Sequence, residues 1–210
     1  GDKIKYLYHA GTNGIDYTTK VFSLESANLD DLRYSNFFSD VVTSVGVGEK
    51  DYEKIQKEQS LSTGGIGLSF NVLPDSSGNK FLLSAGLHGS ALKKNFSKLE
   101  SLMNDTINGF RLNEIKRLEE LTQFEIAGKE KSITQSGHIL AMNGASAQIS
   151  KFGAVSEFVG GVSSIHNLKT LRDSNGKIKM EMLLESFSKL KSFINPVSYT
   201  HLTLPTKVTV

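Results

Sequence analysis

The chain of 210 residues contains no cysteine, which excludes disulfide frameworks, thiol catalysis and cysteine-ligated zinc. It also lacks an excess of either charge: 24 Lys+Arg stand against 22 Asp+Glu, a formal net charge of +2. Such a balance gives neither nucleic acid nor an acidic membrane surface an electrostatic hold, and neither is expected as a partner. No run of about 18 apolar residues occurs, the length a membrane-spanning helix needs. Zinc-hydrolase spacing is missing as well. The five histidines are His9, His88, His138, His166 and His201, no two of them within ten positions, and neither H-E-x-x-H nor H-x-x-E-H is present. A zinc hydrolase sets two histidines one helical turn apart with a glutamate beside them to activate water. No metal ligand and no catalytic residue is therefore expected within this segment.

Other chemical motifs fare no better. Ser90–Lys93, Ser186–Lys189 and Ser188–Lys191 each fit S-x-x-K, but three matches in a chain rich in serine and lysine, without K-T-G or S-D-N, mark coincidence. No G-x-S-x-G elbow is present. Gly64-Gly65-Ile66-Gly67 precedes a strand pattern, whereas a phosphate loop must open a helix whose N–H groups aim at the anion. Asp173-Ser174-Asn175-Gly176 begins like a calcium loop, but its glycine comes early and Leu184 stands where the bidentate glutamate belongs; it reads as a turn. Asn95-Phe96-Ser97 and Asn104-Asp105-Thr106 match glycosylation sequons, which matter only in a secreted protein.

What the chain does have is the composition of a folded globular protein, 38% hydrophobic and 22% charged. Lys3 to Tyr8 alternates apolar and polar residues as a half-buried strand does. Asn13-Gly14 supplies a tight turn, and Ile15 to Leu24 is rich in β-branched and aromatic residues; a hairpin is predicted. Asn28 caps a helix carrying Leu29, Leu32, Phe37, Phe38, Val41, Val42 and Val45 at helical spacing, and Asp51 caps a second one through about Ser62. After Thr63-Gly64-Gly65 the period changes to two: Ile66, Leu68, Phe70 and Val72, a turn over Pro74–Asn79, then Phe81, Leu83, Ala85 and Leu87. The rest is helical. Leu92–Ile107 and Leu112–Ile126 form apolar stripes, and a helix of small residues runs through Ala147 after Ser136-Gly137. Shorter helices follow near Ala154–Phe158 and Val162–Leu171, and the last carries Leu183, Phe187, Leu190 and Ile194. Strands and helices segregate, which predicts an α+β domain: a mostly antiparallel sheet in two layers, with helices packed on one face.

The ends suggest a piece of a longer chain. The first residue is Gly1, and no leader of signal-peptide character follows it. Pro196 to Thr206 reads Pro-Val-Ser-Tyr-Thr-His-Leu-Thr-Leu-Pro-Thr and brings two of the three prolines. It resembles the in-frame translation of a transposase sequencing adapter, so 1–195 is taken as one domain and 196–210 as an artefactual tail.

The order of elements and several strings resemble the pitrilysin/insulinase (inverzincin) superfamily of zinc metallopeptidases, in its presequence-protease branch. These are Thr12-Asn13-Gly14-Ile15-Asp16-Tyr17, Thr63-Gly64-Gly65-Ile66, Asn71-Val72-Leu73-Pro74-Asp75, Gln135-Ser136-Gly137-His138 and Phe158-Val159-Gly160-Gly161-Val162-Ser163. They run in the family's order over nearly all of Lys3–Ile194. The resemblance implies two halves of two similar α+β domains closing like a clamshell around a peptide, with zinc held by H-x-x-E-H in the first half. This segment is most similar to the first domain of the second half, which keeps the fold without the metal. Implied partners are the catalytic N-terminal half and the following domain of the same chain, and unfolded peptides as substrates. The implied role is to wall an enclosed chamber, with zinc as cofactor of the parent enzyme and none in this segment. Substrate contact is expected only where an extended peptide could add to a sheet edge, after Thr63, Gly64 and Gly65. The alternative is a catalytically inactive homologue acting as a binding or assembly subunit. A third reading is an unrelated small α+β enzyme with a site of scattered residues.

Overall fold

The computed structural model describes residues 5–7, 13–74, 81–194 and 199–204. Within them, strands β1 (Lys5–Leu7), β2 (Ile15–Ser23), β3 (Gly65–Pro74), β4 (Phe81–Leu92) and β5 (Tyr199–Leu204) form one sheet in the order β1-β5-β2-β4-β3. The pairs β2–β4, β3–β4 and β2–β5 are antiparallel, and β1–β5 is parallel. Eight α-helices accompany it among the described residues: α1 (Ser35–Val42), α2 (Tyr52–Ser62), α3 (Phe96–Gly109), α4 (Ile115–Gln135), α5 (Gly137–Ile149), α6 (Lys151–Gly160), α7 (Val162–Thr170) and α8 (Met180–Phe193). The α+β architecture expected from the segregated patterns is the one found.

The central hairpin follows the period-two pattern. Pairing Phe22 with Ala85, and Leu87 with both Lys20 and Leu68, puts Phe22, Ala85, Leu87, Ile66 and Leu68 on one buried face; α1 and α3 cover it, and α8 packs against α1. Five phenylalanines knit the layers: Phe38 meets Phe187 at 5.2 Å, Phe110 at 5.7 Å and Phe70 at 6.1 Å between ring centroids, and Phe37 meets Phe187 at 5.5 Å. Gly89 lets α3 approach β4 closely, since a Cβ there would sit 2.7 Å from Leu99 and 3.0 Å from Met103 Sδ. Lys20 interrupts the apolar face. It is 2% exposed, and its ammonium donates to Asn104 Oδ1 of α3.

Three expectations need correction or qualification. Among the described residues, β1 does not pair with β2 as the expected hairpin of 3–8 with 15–24 would have it, although Asn13 and Gly14 take the positive φ values (51° and 82°) that such a turn requires. Instead β5 lies between β1 and β2, from the stretch set aside as a tail. The long helix expected after Asn28 is two pieces, a 3₁₀ turn over Asp30–Leu32 and then α1. Tyr34 separates them at φ −115°, ψ 16°, where burying its ring (3% exposed) and donating its hydroxyl to Asn167 O at 3.3 Å outweigh helix continuity. The turn over Pro74–Asn79 falls largely outside the described residues.

Candidate functional site

The segment Thr63-Gly64-Gly65 joins the end of α2 to the start of β3. Asp51 opens α2 by accepting from Lys54 N at 2.9 Å, and Thr63 closes it: its N–H and its hydroxyl both donate to Gln59 O at 2.8 Å. The same hydroxyl then accepts from Gly65 N at 3.1 Å. Gly64 N donates to Ser90 O at 2.7 Å, which starts the β3–β4 ladder. Gly65 has φ +125°, a conformation that a side chain disfavours. At Gly64 a Cβ would sit 2.5 Å from Ser90 Oγ. The bend is thus built from local hydrogen bonds, and the glycines are required by its backbone.

This bend brings two concavities together. A cleft of about 500 Å³ lies on one side, among Thr43, Ser44, Gln56, Gln59, Ser60 and Thr63. A second depression of about 470 Å³ lies across the sheet face, among Tyr17, Thr19, Gly67, His88 and Ser90. Gly64, Gly65 and Ile66 line both. The bend opens onto β3, whose only strand partner among the described residues is β4. Arg117 of α4 braces the cleft from behind: its guanidinium lies 4.2 Å above the Tyr52 ring, and Nε donates to Ser44 O at 3.3 Å.

No Asp, Glu, Lys or Arg lines the cleft. The nearby Glu58 carboxyl is held below the usual range, chiefly by a hydrogen bond from Lys50 (2.8 Å) that outweighs burial, with help from Lys98. Gln59 Nε2 is a buried donor without a partner among the described residues. The cleft can therefore hydrogen-bond a neutral polar group such as a peptide amide, and nothing in its lining supplies acid–base or nucleophilic chemistry. Among the described residues, no three His, Asp or Glu side chains gather to hold a metal ion, so the zinc of the resemblance does not fit here.

The structure places Thr63, Gly64 and Gly65 together at this bend, as their adjacency requires. It adds Gln59, Gln56 and Ser44, which sequence reasoning missed. The available signal was the polar series Gln56, Gln59 and Thr63 at three- and four-residue steps along one side of α2, easily taken for a solvated helix face.

Comparison with known proteins places this geometry in context. A family model for the associated region of M16 peptidases, subfamily C, matches residues 2–171. The mitochondrial presequence protease of Drosophila melanogaster is 25% identical over 168 residues, covering 80% of this chain and 16% of that protein. Protein HypA of Clostridium perfringens is 26% identical over 197 residues, covering 92% of this chain and 20% of that protein. Among solved structures, a conserved protein from Enterococcus faecalis superposes with a TM-score of 0.63 at 8% identity, over 98% of this chain and 46% of the other; this likeness is one of fold. The chain spans a fifth or less of the length of these curated relatives.

Proposed function

The chain belongs to the family associated with subfamily C of the M16 peptidases, and from that membership we propose that it is a non-catalytic domain of a longer, zinc-dependent peptide-degrading metalloendopeptidase. In this reading it forms part of the wall of an enclosed chamber that admits unfolded peptides, and the metal is held elsewhere in the polypeptide. The observation that carries it is the family match over 2–171, joined to relatives several times longer that are presequence proteases. The neutral lining of the cleft, which offers hydrogen bonds and no hydrolytic group, supports a role in holding peptide and not in cutting it. We place the domain's limit at residue 195.

Peptide hydrolysis tests the reading. The longer polypeptide is expected to cleave an unstructured fluorogenic peptide and to lose that activity to a chelator, while the 210-residue chain alone cleaves nothing. Turnover by the chain alone, with stoichiometric zinc, would overturn the proposal. A longer polypeptide inert toward every peptide would favour the inactive binding or assembly subunit.

Within that role, Thr63, Gly64 and Gly65 are proposed to meet an extended peptide lying along the free side of β3, where main-chain hydrogen bonds can extend the sheet. The Gln59 amide, buried and unpartnered among the described residues, would turn outward to donate to it. Replacing an unpaired buried donor by an apolar group of similar shape is close to neutral for stability. Gln59→Leu is therefore expected to leave the melting temperature unchanged and to raise the KM of the longer enzyme about fivefold, near 1 kcal/mol. An unchanged KM would remove Gln59 from the contact.

A further inference from the structure

Helix α5 differs from the seven other α-helices among the described residues. It buries no residue, and between Lys131 and Lys151 the sequence holds no Asp, Glu, Lys or Arg. A helix that is exposed along its length ordinarily carries charge on its solvated face; α5 shows apolar side chains instead. Ile139 is 50% exposed, Met142 68% and Ile149 85%, at steps of three and seven that set them on one face. The same character continues past the helix. Phe152 on α6 is 43% exposed, and Val155 and Phe158 of α6 line a mainly apolar groove of about 790 Å³ with Ala27, Leu29 and Leu83, to which Asn28 and Asp30 add a polar side. Gly153 lets the two helices close on each other, since a Cβ there would lie 2.2 Å from Ser146 O. The pair is therefore a firm unit with several large apolar side chains left exposed on it.

We propose that the α5–α6 pair is the docking surface for another domain of the same polypeptide. The proposal rests on the reading of this chain as one domain of a longer protein. Two observations choose that occupant. Four-fifths or more of each curated relative's length lies outside the match to this chain, so a large covalently attached partner is at hand. Helix α5 carries no Asp, Glu, Lys or Arg, and the charges of the pair are confined to Lys151 and Glu157 of α6, so the surface suits a permanent, mainly apolar contact; a membrane-surface helix would carry lysine or arginine along its polar face. The attached partner's complementary face is accordingly apolar, with small or flat side chains over Met142 and Ile149.

Amide hydrogen exchange tests this. In the longer polypeptide, α5 amides are expected to exchange at least about tenfold more slowly than in the 210-residue chain. Met142→Glu with Ile149→Glu should restore fast exchange in the longer polypeptide. The same pair of changes should leave the circular dichroism and melting of the 210-residue chain unaltered, because both side chains face water there. Equal exchange of α5 in the two proteins would overturn the docking surface. So would protection that appears in the 210-residue chain and rises with its concentration, since a second copy would then be the occupant. Peptide hydrolysis is read separately. An active enzyme with an unprotected α5 removes the docking surface and leaves the functional reading standing; a protected α5 in an inert polypeptide does the reverse.

Discussion

Gly65 sits where α2 turns into β3, and its φ of +125° is set by bonds on either side: Gly64 N to Ser90 O, and Gly65 N to the Thr63 hydroxyl. An alanine there must either strain its backbone or break one of those bonds. Gly65→Ala should destabilise the domain by about 1–3 kcal/mol, measured by urea unfolding. The neighbouring Gly64 faces chiefly the hydroxyl end of Ser90, so Gly64→Ala should cost less, and Ser90→Ala beside it should recover most of the loss. Equal costs at the two glycines would show that space, and not φ, governs the bend. The doublet was legible because glycine's freedom is visible in the residue itself. Gln59 was not: one amide on a charged helix looks solvated until the fold lays the Thr43–Ser44 segment against it. Lys20 likewise occupies an inward position that its charge argued against, and the nearness of Asn104, remote in sequence, accounts for it.

At the scale of elements, the capping signals translated well where they were local. Asn28 Oδ1 accepts from Asp31 N at 3.1 Å, and the Asp31 carboxylate accepts from Asn28 N at 2.9 Å, a reciprocal cap. Lys189 of α8 reaches the same carboxylate at 2.5 Å, which ties the 3₁₀ turn to the last helix. Burial pushes the Asp31 carboxyl up, but the Asn28 N–H and the Lys189 ammonium together hold it below the ordinary carboxylate range. Because its folded value is the lower one, its contribution is complete above the unfolded value, about pH 4, and is lost as pH falls through the folded value. Asp31→Asn should therefore cost about 1 kcal/mol at pH 7, and the difference from the parent chain should close below pH 4 in urea titrations; a gap that persists at low pH would assign the cost to packing. The strand pairing of β1 was less legible. Asn13-Gly14 encodes a turn, and a turn is local, whereas the partner of an edge strand depends on which other segment competes for the same hydrogen bonds. The division of the expected first helix had a similar origin, in the pull of the Tyr34 ring toward α7.

For the molecule as a whole, the segregation of strand and helix patterns made the fold class readable, since each pattern reports which face must be buried. The boundary at 195 is open to a direct trial. All eight helices and the β2-β4-β3 strands lie within 1–195, so a chain lacking 196–210 should keep its helical signal and melt cooperatively within a few degrees of the full chain; loss of cooperative melting would make β5 integral to the domain. The phenylalanine cluster carries a consequence for biosynthesis. Phe37 and Phe38 are made about 150 residues before Phe187, the ring that packs against both. A nascent chain must hold those two rings without their lid until that stretch has been made, at a stage when exposed aromatic surface invites aggregation. The rings of α1 thus gain their cover only once α8 has been made.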